Sequence, residues 1–574
     1  MAIWKTLTIF AGIAAAQSID PELAQHTSLF EKKIYHVSAN VYSAVGYSLG
    51  NAILIEGDSG VIIVDTTSSV EAARQIREEF RKITSKPVAA VIYTHFHPDH
   101  VHGVKAFVDA SGIDIYAHES LMENYITQGA LIGPILGVRS SYSFGAGMTA
   151  EERQGMNFGL GPIYAPGTST FIPPTKTFRD QLEVTIAGVK LRLIHAPSET
   201  PDHTTVLLPD ARVLCSGDMI QGPAFPNIHT LRGASFRDPR AWVTSIDAMR
   251  ALRPDFLVPS HGQPVSGREK VEEVMRNYRD GIQFVHDQTI RYMNKGLTPD
   301  ELAAKVKLPP HLESYAPYLR PFYGTVSHSV REIYVGYLGW FEGDPVALDP
   351  TAPSEAARRR VALMGGRDRV LSEAKGALDA GDAQWAAELA TDLIRVSNDD
   401  RDARQLKAAA FRKLGLAQKN INWRNWYLAS AHELDGSLDR TAVLARARAN
   451  FGAPETVAAL PARVWVEGLT TRLESEKTLD VRATMAFWFP DTQEEYSLEV
   501  RRGVAQFSDR PGRSDLAVEM EKKTLDQILL GRSSIVRALN SGQMKVTKGA
   551  RADVLAFFGY FEPAFLDPIA LTVR

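Results

Sequence analysis

The chain alternates short apolar runs with polar, glycine-bearing breaks over its first third. Asn51 to Gly57, the turn Asp58-Ser59-Gly60 and Val61 to Asp65 place two β-branched runs around a tight turn, which predicts a hairpin. Val70 to Ile83 carries its apolar residues at helical spacing, and Val88 to Tyr93 is a continuous apolar run that predicts a buried strand. Strand, helix, strand and then a polar turn is α/β organisation, with chemistry expected at the carboxyl ends of strands. Leu191 to Ile194 and Thr204 to Leu208 predict a second strand set. Between the two sets, Thr127 to Thr177 is rich in Gly, Pro, Ser and Tyr and is expected to be a substrate-facing loop. After Asp344-Pro345 the pattern turns helical: Ala352 to Ser397 is Ala- and Arg-rich, Asn398-Asp399-Asp400 breaks it, and Arg404 to Leu414 resumes. From about Ala453 it changes again, with β-prone Thr484 to Phe489, alternating Tyr496 to Val500 and a closing helical stretch, a small α+β domain.

At 574 residues the chain exceeds one core, so about two to four domains are expected. A net charge of −3 argues against nucleic acid as a partner. The single cysteine, Cys215 in the apolar run Val213-Leu214-Cys215, excludes an intrachain disulfide and a cysteine zinc cluster. Residues 1–16 read as a signal peptide: one lysine, the apolar stretch Leu7 to Ala16, and small residues at its end, so a secreted or periplasmic protein is expected rather than a frayed terminal helix. The stretch is too short to span a bilayer, and no later segment has the unbroken apolar length of a membrane span.

The densest chemistry follows the strand at Val88 to Tyr93. Thr94-His95-Phe96-His97-Pro98-Asp99-His100-Val101-His102-Gly103 holds four candidate ligands in six residues. The spacing splits them, His95 and His97 toward one ion and Asp99 and His100 toward a second, and nitrogen with carboxylate donors suits zinc. Three further strand ends offer one donor each: Glu199, Asp218 and His261.

These residues resemble the metallo-β-lactamase fold and, within that superfamily, the zinc-dependent alkyl sulfatases (type III sulfatases). The first metal motif maps onto His95, His97, Asp99 and His100. Ser198-Glu199-Thr200-Pro201 is similar to the family's Thr-Glu-Ala-Pro, and Asn227 to Gly233 resembles Asn-Leu-Tyr-Thr-Leu-Arg-Gly, whose asparagine and arginine hold the sulfate. Tyr323 to His328, Tyr337 to Phe341, Gly381 to Leu389 and Trp423 to Leu428 resemble later family segments. The chain departs from the pattern at Asp218, where the family has glutamate, at the Pro223 to Pro226 loop, and at His102, where it has glycine and where a ring is expected to crowd the metal rim.

The resemblance implies an α/β fold, a metallo-β-lactamase αβ/βα sandwich (17–350), followed by an all-α dimerisation domain (351–450) whose helix pairs look like tetratricopeptide packing, and a small α+β sterol-carrier-protein-like domain (451–574). It implies two Zn²⁺ per chain: His95, His97 and Glu199 on one, Asp99, His100 and His261 on the other, Asp218 shared, and His203 as an alternative ligand to Glu199. Two dications against three carboxylates and a hydroxide form a neutral cluster, so an outside cation is needed to attract a sulfate ester. Arg232 is assigned that role and Asn227 a neutral donor's. Asp99 and His328 are the candidate catalytic groups, His328 as proton donor or hydrogen-bond donor to the sulfate. His195 is expected to be structural, and Tyr142 and Tyr323 to line the pocket. The implied reaction is hydrolysis of a linear or secondary alkyl sulfate, a small amphiphile, to alcohol and inorganic sulfate by a homodimer. The apolar channel for the alkyl chain is expected from Leu131 to Phe158 with help from the two later domains. The rivals are another hydrolase of this fold (lactonase, β-lactamase or thioesterase) and a lipid-binding protein with a vestigial metal site.

Overall fold

The computed structural model describes residues 20–108, 112–163, 166–449, 452–510, 512–563 and 571–572; residues 1–16, read above as a signal peptide, lie outside them. Two sheets stack face to face. The first has seven strands in chain order: β1 Lys33–Ser38, β2 Val41–Val45, β3 Ala52–Glu56, β4 Val61–Val64, β5 Val88–Ile92, β6 Asp114–His118 and β7 Lys176–Phe178. The second has six: β8 Gln181–Ile186, β9 Val189–His195, β10 Thr204–Leu208, β11 Val213–Gly217, β12 Phe256–Pro259 and β13 Val265–Ser266.

Strand β4 shows why these runs lack a polar face. Ile62 and Val64 enter the core between the sheets, with Leu193, Val206 and Val258 from the second sheet. Val61 and Ile63 point the other way, into the core that holds Val70, Ala73, Ile76 and Phe80 of the helix Val70–Arg81. A strand covered on both faces is apolar throughout. The second sheet is covered likewise: Leu214 and Leu257 share a core with Trp242 of the helix Pro239–Ala251 and Val274 and Tyr278 of the helix Arg268–Met293. The result is a helix–sheet–sheet–helix sandwich. Parallel pairs β4–β5 and β11–β12 end at one edge, which gathers their loops.

Five helices, Pro353–Leu363, Arg367–Asp379, Ala383–Val396, Arg401–Leu416 and Ile421–Asp435, form a bundle around Val370, Leu389, Leu393 and Ala431. The break at Asn398 to Asp400 is a cap, with the Asp400 side chain accepting from the Ala403 amide. The last domain has five strands, β14 Arg482–Phe489, β15 Glu494–Arg501, β16 Val504–Ser508, β17 Leu516–Met520 and β18 Met544–Lys548, in the order β16-β15-β14-β17-β18. Helices Ala462–Glu467 and Arg551–Phe558 contribute Val466, Val554 and Phe557 to its core. Among the described residues no helix is long and apolar enough to cross a membrane.

One expectation fails. The stretch Thr127 to Thr177 is not a simple loop: it holds a π-helical turn Thr127–Leu131 and helices Gly133–Ser143 and Ala150–Arg153. The composition that suggests a loop is what lets the middle helix pack. A Cβ on Gly137 would lie 2.9 Å from the Cα of Ala447 on the helix Arg440–Ala449, so only glycine permits that approach. Tertiary contact overrides weak propensity here.

Candidate metal centre

Strand β5 ends at Ile92, and the backbone turns at His97, which precedes the short helix Pro98–Val101. The turn is clamped to the end of β4: the Thr66 amide donates to the His100 carbonyl at 2.7 Å and the Gly103 amide to Thr67 at 3.1 Å. Gly103 has no room for a side chain, since a Cβ would collide with the Thr66 carbonyl and lie 2.8 Å from Ala73 Cβ. Asp65 adopts the left-handed region at φ 58°, uncommon for a non-glycine residue, and this turns its carboxylate under the histidines.

Asp65 is the hub. Its Oδ1 accepts from the Thr94 amide at 2.8 Å, and its Oδ2 accepts from Thr94 Oγ1 and His100 Nδ1 at 2.8 Å and from Ser260 Oγ at 2.9 Å. With its hydroxyl hydrogen committed to Asp65, Thr94 Oγ1 is left to accept from His95 Nδ1 at 3.0 Å. His261 Nδ1 donates to the Leu49 carbonyl at 2.8 Å. Each of these rings therefore has one nitrogen engaged outward and presents Nε2 inward as a lone pair.

Those lone pairs meet the carboxylates. His95 Nε2 and His97 Nδ1 lie 3.7 and 3.4 Å from Glu199 Oε2. His100 Nε2 lies 3.6 Å from Asp99 Oδ2 and 3.7 Å from Asp218 Oδ2. His261 Nε2 lies 3.6 Å from Asp99 Oδ2 and 3.3 Å from Asp218 Oδ1. Three triads, His95–His97–Glu199, His95–His100–Asp218 and Asp99–His100–His261, each keep their ligand atoms within 4.8 Å of one another. His100 Nε2, His261 Nε2, Glu199 Oε2 and Asp218 Oδ1 are buried without a hydrogen-bond partner. Such groups are costly to leave unpaired, and their convergence fits a pair of cations.

Charge follows position. Burial pushes His95 well below its usual range, helped by His100 and His97. Burial lifts Asp218 to about 7 against the pull of His261 and His100. Burial acts to raise Glu199 too, but Arg237 and His97 hold it well below the carboxylate range.

All seven sequence-predicted ligands thus converge. Arg232 lines the same cavity, its Nη2 3.4 Å from His97 Nε2. The cavity measures about 80 Å³ and is walled by Leu49, Phe96, Leu136, Phe144, Leu160 and Tyr323, with Arg446 and Ala447 from the helix Arg440–Ala449. Among the described residues no side chain of the last domain lines it.

Other expectations change. Asn227 is fully buried outside this lining, with its backbone amide on Gln221 Oε1 and its carboxamide unpaired. Tyr142 does not line the cavity, because its hydroxyl donates to Glu433. Tyr323 does. His102 does not crowd the rim: its Nε2 pairs with Tyr125 Oη at 2.9 Å on the far side of the turn. His203 is absent from the triads, and its Nε2 accepts from the Asp218 amide at 2.9 Å, holding that ligand's backbone. His195 stacks on His118 at 3.8 Å. His328 faces its own helix start: Nε2 lies 3.2 Å from the Thr325 amide nitrogen and Nδ1 lies 3.1 Å from Trp423 Nε1, a neutral ring accepting from one of the two, and burial lowers its pKa to about 3. Both nitrogens face groups of the fold, and a ring kept neutral by burial holds no extra proton to give to a leaving sulfate.

Two residues went unnoticed in the sequence. Asp65 reads only as the last residue of the hairpin's second run, Val61 to Asp65. Arg237 carries no local signal, yet it is buried and forms an ion pair with Glu199 Oε1 at 2.5 Å.

Residues 45–261 match the family model described as metallo-beta-lactamase superfamily. Residues 298–437 match alkyl sulfatase dimerisation, and residues 450–566 match alkyl sulfatase C-terminal. The chain is 54% identical over 531 residues to a linear primary-alkylsulfatase of Pseudomonas sp. (strain ATCC 19151), covering 91% of this chain and 100% of that protein. It is 32% identical over 572 residues to an (R)-specific secondary-alkylsulfatase of Pseudomonas sp., covering 96% and 84%. Among solved structures, the stereoselective inverting sec-alkylsulfatase Pisa1 from Pseudomonas sp. superposes with a TM-score of 0.87 at 31% identity, covering 97% of this chain and 88% of that one.

Proposed function

The chain belongs to the alkyl sulfatase family of the metallo-β-lactamase superfamily, and from that premise we propose that it hydrolyses linear or secondary alkyl sulfate esters to an alcohol and inorganic sulfate at a centre of two zinc ions. The observation that carries this reading is the convergence of seven donors, six of them buried and four with orphaned atoms, beside the guanidinium of Arg232. His95, His97 and Glu199 would hold one ion, Asp99, His100 and His261 the other, with Asp218 between them. Zinc bound there supplies Lewis acidity and brings the pKa of water toward neutrality.

The chain's own groups do the rest. Arg232 supplies paired charge-assisted bonds to the sulfate oxygens. Leu136, Phe144 and Leu160 exclude water and pack the first carbons of the alkyl chain. Asp65, Thr94 and the Leu49 carbonyl keep the three inward-facing rings in the tautomer that offers Nε2. His328 takes no part in proton transfer.

The test is zinc content of the purified protein together with sulfate release from a graded series of alkyl sulfates, run in ¹⁸O-labelled water to locate the broken bond. Zinc-free protein, or turnover of a lactone, β-lactam or thioester with none of an alkyl sulfate, would overturn the reading.

The same proposal includes a homodimer formed through the dimerisation segment. Leu338, Trp340, Val346 and Leu348 are 57 to 77% exposed there, an apolar row that a second copy would cover. A Leu338→Asp/Trp340→Asp double variant should run as a monomer in light scattering. Export to the periplasm or medium is also proposed, supported by the Leu7 to Ala16 stretch. N-terminal sequencing of the secreted protein tests it, and an intact Met1 on exported protein would contradict cleavage.

A further inference from the structure

The two oxygens of Glu199 have different surroundings. Oε2 faces His95 and His97 and has no hydrogen-bond partner, while Oε1 is paired with Arg237 at 2.5 Å. Both side chains are 2 to 3% exposed, so the pair is effectively dry. The same Arg237 Nη1 donates to the Asn227 backbone carbonyl at 2.6 Å. Glu199 comes from the turn after β9, whereas Asn227 and Arg232 lie on an irregular segment that ends where Asp238 caps the helix Pro239–Ala251. Arg237 bonds both Glu199 and the Asn227 carbonyl.

We propose that Arg237 is a positioning residue: it occupies one oxygen of Glu199 so that a single oxygen faces the first metal position, and it ties that ligand to the segment carrying Arg232. The inference rests on reading His95, His97 and Glu199 as a zinc site. Three consequences follow from the geometry. Without the guanidinium, Glu199 can rotate or offer both oxygens, and its negative charge is left buried without its cation. The first position weakens most, while the second, built from Asp99, His100 and His261, includes neither Arg237 nor Glu199 and meets Glu199 only through the shared Asp218. The 227–237 segment also loses an anchor. Its donors are already under-used, since Arg237 Nε and Nη2 and the Asn227 carboxamide have no protein partner, so sulfate affinity should respond as well.

Groups that orient metal ligands typically account for about 10–100-fold in metal affinity. Arg237→Met should therefore lose one of two zinc equivalents about 10–100-fold more readily to a chromophoric chelator, with the other equivalent held as in wild type, and should raise KM for an alkyl sulfate. A general folding defect would release both metals together. In a Glu199→Gln background, where Arg237 has no anion to hold, adding Arg237→Met should cause no further loss. If Arg237→Met does not fold by circular dichroism, Arg237→Lys decides, because a shorter ammonium keeps the charge but not the reach and should still loosen the first zinc several-fold. Two zincs held with wild-type affinity in the folded variant overturn the proposal. Wild-type protein is the control: if it binds no zinc or releases no sulfate, the function reading has failed, and this inference falls only with it.

Discussion

Replacing Asp65 with asparagine exchanges one oxygen for an NH2 group at almost unchanged volume, yet it should disable the centre from beneath. The carboxylate accepts hydrogen bonds from the Thr94 amide, Thr94 Oγ1, His100 Nδ1 and Ser260 Oγ, all at 2.8 to 2.9 Å. An asparagine has one acceptor oxygen. Placed where Oδ2 stands, that oxygen keeps three partners but turns the amide hydrogens toward the Thr94 N–H, leaving a buried donor unpaired at about 1–3 kcal/mol. The three surviving bonds lose their charge assistance, about 1 kcal/mol each. The opposite rotamer abandons three partners and is worse. The expected destabilisation is about 4–6 kcal/mol, a large share of the roughly 5–15 kcal/mol that holds a typical domain together. Because His100 Nδ1 then donates to a neutral oxygen, its Nε2 becomes less basic and metal affinity should also fall about 10–100-fold. Chelator competition reads the second effect, and urea denaturation followed by tryptophan fluorescence reads the first. Ser260→Ala is the graded control, with about 1 kcal/mol lost and both metals kept. An Asp65→Asn protein with the wild-type midpoint and metal content would refute the hub reasoning.

Arg232→Ala should retain both metals and lose about a hundredfold or more in sulfate release, since it removes a fixed charge at the anion and no ligand; undiminished turnover would remove Arg232 from the site. Gly103→Ala should cost about 1–3 kcal/mol and loosen the histidine turn, because its Cβ meets the Thr66 carbonyl; a wild-type melting temperature would show that the clamp has slack. His26, stacked on Phe322 with its Nε2 on the Pro223 carbonyl, is lowered to about 4 by burial against its ordinary 6.5. The unfolded chain then binds the extra proton, so this contribution is whole above about pH 6.5 and is lost as pH falls toward 4, by up to about 1.4 kcal/mol per unit. His26→Gln should flatten the slope of stability against pH in that window, and an unchanged slope would contradict a neutral buried ring.

Much of the fold is legible in the order of residues. Strand β4 needs no context, because four β-branched residues behind a Gly-bearing turn form a strand whose two faces must both be covered. The helix Val70–Arg81 declares itself by its apolar spacing, and Asp400 by capping the helix that follows the break. The histidine-rich turn is legible for the same reason: its ligands are close in sequence, so a few backbone dihedrals bring them together. Glu199, Asp218 and His261 were reachable because each follows an apolar strand, and strands of one sandwich end at a common edge.

What the sequence could not decide is which buried donor meets which acceptor. Asp65 and Ser260 meet across 195 residues, and neither carries a mark of the other. Arg237 is one of many arginines until packing shuts it against Glu199. Tyr142 and His328 look like pocket chemistry from composition, but their partners, Glu433 and Trp423, come from the helical bundle and turn both into packing groups. The helix Gly133–Ser143 exists because its small residues admit neighbouring backbone, a gain absent from an isolated segment. Local periodicity sets which elements form and which face of each is buried, because it depends only on dihedrals and solvent. Hydrogen-bond pairing in the interior depends on distances between remote segments, so only the assembled tertiary structure settles it.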